Sequence, residues 1–529
     1  MNNGVRSLAE GSGARAIGRR EFLRDTAILA GSMTAGAHAL GRTAESQPKP
    51  KEIVLAEGTA LKTLNPYRSI STPERHFISM IFQRLVKIDH QGKIVGELAE
   101  SWDVTEGGKL WTFKLKKGIK FSNGEPFNAE AAKLAFGVIT DKAYGHIFAA
   151  QFSGITKAEA ADEYTLKLYT DKPFSPLLIN LHNNSAAMVP PKHFREAKED
   201  FSFKPVGTGP YTLKSWEGDT AVLARNPHWA GPQPWADSLK YVTIPEDQAR
   251  VAALERGEVD IAVKLPTHDI QRIKANPNIE VQLFPSIYTI SFEVNVLKKP
   301  FSDKRVRHAL MYAIDRAAIV RGILQGFAQP AVSPVGPGIP SRRTFDPWPY
   351  DAKRSKALLA EAGYPNGFSM AVWSPHGRYL KDAEVSEAVV SYLKDVGIDA
   401  SLKIWEWSPY VDAALAKPSP TKAMDIAMLG RATMGADFWM YRLWHSKSSG
   451  NITGYNNPRV DQLLDAGRTT FDRAEADRIY GEVQEILFKE DVPFIFLHHQ
   501  SQVLGVRKGV TGLYAYPEEF LDLFGVRKA

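Results

Sequence analysis

The chain has 529 residues, a formal net charge of +7 and no cysteine. That length exceeds what one hydrophobic core supports, so two or more lobes are expected. Lys and Arg interleave with Asp and Glu without forming a basic stripe, which argues against a nucleic-acid partner; the lack of cysteine excludes disulfides, thiolate metal sites, a cysteine nucleophile and a lipid-modified cysteine.

The N-terminus reads as an export signal. Arg19-Arg20 with Phe22-Leu23 precedes a short, weakly apolar stretch and small residues around Ala37-His38-Ala39. The pattern is similar to a bacterial twin-arginine signal. It predicts a signal peptide over 1–39, cleavage after Ala39, a linker over 40–50, and a soluble periplasmic protein with no membrane anchor of its own.

Glu52 to Ala56 starts as a strand. In 109–121, Trp111, Phe113 and Leu115 alternate with Leu110, Thr112 and Lys114, which is the period of a strand with one buried face. Asn123-Gly124 signals a turn, and Asn128 is a suitable N-cap for a helix from Ala129 to Ile139. A second strand follows at Tyr164 to Tyr169. The run from Pro205 to Tyr211 contains Gly207, Gly209 and Pro210 and reads as a joint between lobes. Beyond it a helix from Asp247 to Arg256 closes at Gly257 and leads into a strand at 260–263.

The strongest helical period spans 302–321, with Ser302 as the expected N-cap. A further helix carries Val385, Ala388, Val389, Tyr392, Leu393 and Val396 on one face and stops at Gly397; residues 398–404 then alternate as a strand. On that strand's period, Trp405 and Trp407 share one face. Helices at 458–467 and 473–489 precede a strand at 494–497. Strands alternating with helices give an α/β (α+β) class with several lobes.

Five segments, in order, resemble family 5 of the extracellular solute-binding proteins, the dipeptide, oligopeptide and nickel group. They are 98–124, from Leu98-Ala99-Glu100-Ser101-Trp102 to Asn123-Gly124; 206–229, with Gly207-Thr208-Gly209-Pro210-Tyr211; Ala253 to Asp260; 295–316, with Phe301-Ser302-Asp303 and Asp315-Arg316; and Ala360 to Tyr364 followed by Val396-Gly397-Ile398. The resemblance implies a periplasmic-binding-protein-like fold of cluster C type, with two main lobes on a two-strand hinge. Lobe Ia would comprise 51–95, 205–294 and 495–529, the extra subdomain Ib 96–204, and lobe II 295–494, with crossings near 295 and 494. It further implies a monomer that captures a peptide-like ligand in the cleft and delivers it to inner-membrane ABC permease subunits, with no catalysis and no cofactor.

A zwitterionic ligand needs a carboxylate for its ammonium and a cation for its own carboxylate. By the resemblance, Asp437 matches the ammonium anchor, although the family often has Asp-Pro where this chain has Asp437-Phe438. Arg378, on a turn before a helix, is the candidate for the carboxylate, with Arg431 as a second choice. Trp407 would form an apolar wall and Tyr67, in Asn65-Pro66-Tyr67, would border the cleft. The region from Gly435 to Leu443 is similar to the glutathione-binding branch. Two alternatives stand beside the peptide reading: the same fold binding a nickel chelate, an opine or another small solute, and, remotely, a hydrolase. His498-His499 is the only histidine pair, and neighbours on a strand face opposite ways, which disfavours one shared metal. The chain lacks a Gly-x-Ser-x-Gly elbow, a His-Glu-x-x-His helix and a phosphate loop. Glu518-Glu519 is a carboxylate pair, but adjacency along the chain does not define a site.

Overall fold

The computed structural model describes residues 51–529 except 70, 433 and 434. The signal peptide and linker expected over 1–50 lie outside the described residues. Eleven of the strands described join in one mixed sheet. Its path runs Asp399–Trp405, Ser369–Pro375, Ile426–Arg431, Ile279–Val294, Phe494–Arg507, Ile261–Val263, Glu52–Glu57, Ser238–Thr243, Thr220–Arg225 and Tyr211–Glu217, and Ala328–Pro330 also pairs with Phe494–Arg507.

The two long strands at the centre, Ile279–Val294 and Phe494–Arg507, run antiparallel and belong to both halves of the sheet. Their register breaks between Pro285 and Thr289. The apolar core changes hands at the same place. Leu504 and Val506 bury with Ile53, Phe77 and Tyr241, whereas Ile287, Ile290, Phe496 and Leu497 bury with Leu310, Val389 and Leu487. The molecule is therefore a two-lobe α/β structure whose cores meet inside the long strands, not at their ends near 295 and 494. A separate four-stranded antiparallel sheet, Ala99–Thr105, Leu110–Leu115, Thr165–Thr170 and Ile155–Asp162, packs on the first lobe.

Local rules explain most elements. Trp111, Phe113 and Leu115 are buried and Lys114 is exposed, as the alternation requires. Asn128 caps Ala129–Thr140 by accepting from the Ala131 N–H at 3.1 Å. Gly257 ends Asp247–Arg256 at φ +78°, a conformation that favours glycine. Gly207 and Gly209 pack against the end of the helix Thr72–Ile81, where added Cβ atoms would lie 2.1 Å from the Ile81 carbonyl oxygen and 2.4 Å from that of Met80.

Two helix expectations need correction. The 302–321 period resolves into Lys304–Ala313 and Arg316–Gly322, because Asp315 turns out of the helix and caps the second piece through the Ala318 N–H at 2.8 Å. Asp303, not Ser302, caps the first piece, its carboxylate accepting from the Arg305 N–H. The strand at 398–404 ends at Trp405, and Trp407 opens the helix Trp407–Ala414. The two tryptophans thus share no strand face: Trp405 packs on Trp373, with ring centroids 4.8 Å apart.

Candidate functional site

A cavity of about 930 Å³, counting its solvent-open mouth, lies between the two lobes. The first lobe contributes Ser69, Thr72, Arg75, Phe148, Asn184 and Glu518; the second contributes Arg378, Tyr379, Trp407, Arg431, Trp439 and Arg442, and Tyr288 comes from the long strand that serves both.

Arg378 is built into this cavity by its own loop. The strand Ser369–Pro375 ends, Gly377 turns at φ +70°, and Asp382 at the start of Asp382–Asp395 folds its carboxylate back onto the loop. That carboxylate accepts from the N–H groups of Gly377, Arg378 and Tyr379 at 3.0, 2.8 and 3.0 Å. The loop so held aims the Arg378 side chain, itself 4% exposed, between the rings of Tyr288, Tyr379 and Trp407, whose centroids lie 5.8, 5.0 and 5.1 Å from the guanidinium carbon. Its Nη2 donates to Thr72 Oγ1 and Tyr288 Oη over long contacts of 3.3 and 3.4 Å, while Nε and Nη1 are buried without an acceptor. Buried N–H groups are almost always paired in folded proteins, and two free donors on one buried cation can accept an anionic partner. Trp407 is half-buried and lines the cavity.

Arg431, at the end of Ile426–Arg431, also faces the cavity. Its Nε donates to Glu293 Oε1 at 2.5 Å, and its Nη2 is buried without a partner. Arg442 stands nearby on Ala436–Trp444, its guanidinium carbon 5.2 Å from the Phe148 ring and 5.4 Å from that of Trp439. Burial, with the positive charge of Arg431 adding to it, pulls Arg442 down to about 10, which leaves it charged at neutral pH.

Two expected cleft residues lie elsewhere. Asp437 is 4% exposed and outside the cavity lining; its carboxylate accepts from Arg468 Nε at 3.0 and 3.2 Å and from Tyr480 Oη at 3.0 Å. Successive residues on a helix turn by about 100°, so Phe438, Trp439 and Arg442 face the cavity while Asp437 faces the second lobe's own interior. Tyr67 is fully buried in the first lobe, where its hydroxyl donates to the Ala187 carbonyl at 2.7 Å and its ring packs on His146 and Phe194. Its neighbour Pro66 is the one that reaches the cavity.

Sequence reasoning missed the carboxylate that does line the cavity. Glu518 is buried and paired with Arg75 at 3.6 Å and His182 at 3.4 Å. Burial would raise its pKa, but the His182 hydrogen bond and the Arg75 charge outweigh that and hold it below the usual value. Glu519 turns the other way and accepts from Ser286 Oγ and Gln500 Nε2. Neither His498 nor His499 lines the cavity: His499 bonds Thr289 Oγ1, and His498 is buried with both ring nitrogens unpartnered. Among the described residues no cluster of three or more His, Cys, Asp or Glu side chains could hold a metal ion.

Comparisons with known proteins give the family and the fold. The family profile described as Bacterial extracellular solute-binding proteins, family 5 Middle, matches residues 93–451. The chain is 33% identical over 476 residues to the glutathione-binding protein GsiB of Escherichia coli O1:K1 / APEC, covering 88% of this chain and 93% of that one; against the strain K12 protein the identity is 32%. Among solved structures, the ABC transporter-associated periplasmic binding protein DppA of Helicobacter pylori in complex with peptide STSA superposes with a TM-score of 0.82 at 25% identity, covering 90% of this chain and 98% of that one. The agropinic-acid complex of AgaA from A. tumefaciens R10 gives 0.79 at 27% identity, covering 87% and 94%. The chain belongs to family 5 of the bacterial extracellular solute-binding proteins.

Proposed function

We propose that this protein is the periplasmic receptor of an ABC importer: it binds a peptide or peptide-like solute between its lobes, hands it to inner-membrane permease subunits, and catalyses no reaction. One observation carries the reading. Arg378 presents two buried, unpartnered N–H donors to an interlobe cavity whose other walls are aromatic, as a ligand carboxylate requires. Glu518 on the opposing lobe supplies the carboxylate that an ammonium needs, the role first expected of Asp437. The twin-arginine pattern at Arg19-Arg20 supports export, and no helix among the described residues is long and apolar enough to cross a membrane. A boundary between the two main lobes inside the long strands, at 285–289 and 499–501 in place of the crossings expected near 295 and 494, and a monomeric state complete the proposal.

The relatives that bind glutathione and peptide make those the first ligands to test, and the agropinic-acid complex brings opines into the panel. The test is thermal unfolding of the protein, refolded to strip carried-over solute, with glutathione, di- to pentapeptides, opines and nickel chelates. A ligand bound only by the native state raises the melting temperature with concentration. A shift with glutathione or peptides supports the proposal. A shift with nickel chelates or opines alone overturns the peptide ligand and leaves the receptor.

A further inference from the structure

Besides Arg378, the cavity lining holds a second pair of cations, Arg431 and Arg442. Gly430, next to Arg431, has its backbone pressed against the rings of Tyr288 and Tyr379; a Cβ there would meet them at 2.9 and 2.6 Å. At the Arg431–Arg442 pair two cations face one carboxylate, Glu293, which is fully buried and already bonded to Arg431 Nε. Arg442 has no ion-pair partner among the described residues, and Arg431 keeps a buried, unpartnered Nη2. Arg442 is also fixed in place: its side chain packs across Gly450, where a Cβ would lie 2.4 Å from Arg442 Cγ, and its guanidinium sits between Phe148 of one lobe and Trp439 of the other. A cation held rigidly beside a second cation and short of counter-charge is costly unless an anion arrives with the ligand.

We propose that Arg442 and Arg431 form a second anion subsite, so that the preferred ligand is a peptide-like solute with two carboxylates and one ammonium, net charge −1. This rests on the receptor reading above. One carboxylate sits at Arg378, the other at Arg442 and Arg431 Nη2, and the ammonium lies toward Glu518. A peptide with a single carboxylate answers only one of the two basic sites and leaves the other uncompensated. The lining itself therefore selects for acidic ligands.

The experiment is titration calorimetry on the full chain with four probes. They are glutathione, its glycine ethyl ester, γ-aminobutyryl-cysteinyl-glycine, which lacks the α-carboxylate, and tri-alanine. Wild type should bind glutathione at least about 30-fold more tightly than any of the other three, the order of loss for leaving one buried charge unpaired. Arg442→Gln should lose a similar factor for glutathione and lose nothing more for one of the two singly blocked ligands, which identifies the carboxylate that Arg442 meets. Arg442→Lys, which keeps the charge, should recover part of the affinity, and the melting temperatures of both variants report that they fold. Equal wild-type affinity for tri-alanine and glutathione would overturn the second subsite and leave the receptor reading standing. Unchanged glutathione binding by Arg442→Gln would overturn it too. Failure of wild type to bind any of the four would overturn the peptide-like reading and the subsite together.

Discussion

Replacing Arg378 with methionine separates a binding role from a structural one, because the first lowers affinity at nearly constant stability and the second lowers stability at constant affinity. The guanidinium makes two long hydrogen bonds, to Thr72 and Tyr288, and sits over three rings. Such contacts contribute about 1 kcal/mol each. Against them stand two buried N–H donors without acceptors, each costing about 1–3 kcal/mol. The terms nearly cancel, so Arg378→Met should change stability by no more than about 2 kcal/mol in either direction. Unfolding entropy near 2.1 cal/mol/K per residue gives roughly 1 kcal/mol per degree for this chain, so the melting temperature moves by about 2 °C or less. Ligand binding behaves differently. Losing the partner of a buried carboxylate costs at least about 2 kcal/mol, or about 30-fold in affinity. At a ligand concentration 1,000 times the wild-type Kd, wild type gains about 4 °C and the variant about 2 °C or less. Calorimetric titration with glutathione and scanning calorimetry without ligand read the two effects separately. A fall of more than about 5 °C with unchanged affinity would refute the reasoning and make Arg378 a structural residue.

Three further outcomes are expected. Burial pulls His498 and His499 down to about 3 and His146 down to about 4. With folded-state pKa values below the unfolded value near 6.5, the unfolded chain binds more protons, so their contribution to stability is complete above about pH 7 and is lost as the pH falls toward 4. The three together remove roughly 2 kcal/mol between pH 7 and pH 6, which urea denaturation at both values would measure; a flat response would refute their burial as neutral rings. Gly207→Ala drives a Cβ into the Ile81 carbonyl, a backbone group that cannot swing away, and should cost about 1–3 kcal/mol by urea midpoint. Asp437→Ala leaves Arg468 and the Tyr480 hydroxyl unpaired and should cost about 3 kcal/mol with glutathione affinity changed less than about threefold. Loss of binding at unchanged stability would restore Asp437 as the ammonium anchor.

What the sequence made legible was local chemistry. The alternation ending in Leu115, the Asn128 cap and the Gly257 stop depend on neighbours a few residues away, and each recurs in the structure. Arg378 was singled out by the family resemblance, as a residue on the turn before a helix; its place in the cavity lining depends on that helix's first carboxylate, Asp382, which holds the turn. Residues whose direction depends on an unseen element boundary were not legible. Matching Asp437 to the family's ammonium anchor left out the helical turn that sends Asp437 inward and Trp439 toward the cavity. Extending the strand past Trp405 gave Trp405 and Trp407 a shared face, whereas Trp407 opens the next helix. Glu518 could be found only through tertiary structure, since it and Glu519 are chemically identical neighbours and only the fold sends one to His182 and the other to Gln500.

The contacts joining the lobes fall into two groups with different dependence on ligand. Around the cavity, Arg378 meets Thr72, Phe148 meets Phe438 and Lys62 meets Ser408, and the donors of Arg378 and Arg431 are incompletely matched. At the rim, Ser175 donates to the Arg468 carbonyl, Arg468 lies over the Phe174 ring, and Phe471 packs on Trp111. The rim needs nothing from a ligand, because the Arg468 charge is already answered by Asp437 on the helix that also carries Trp439 and Arg442. Under the proposed function, closure is thus favoured at the rim and penalised in the cavity, and a ligand carboxylate removes only the penalty. A ligand shifts such an equilibrium by its differential affinity alone, so the proposal makes the unpartnered donors of Arg378 the source of the selectivity. A rim strong enough to outweigh that cost would close without solute, so on this reading the rim's contacts, the Ser175 hydrogen bond, Arg468 over Phe174 and Phe471 on Trp111, must stay weaker than the cavity penalty.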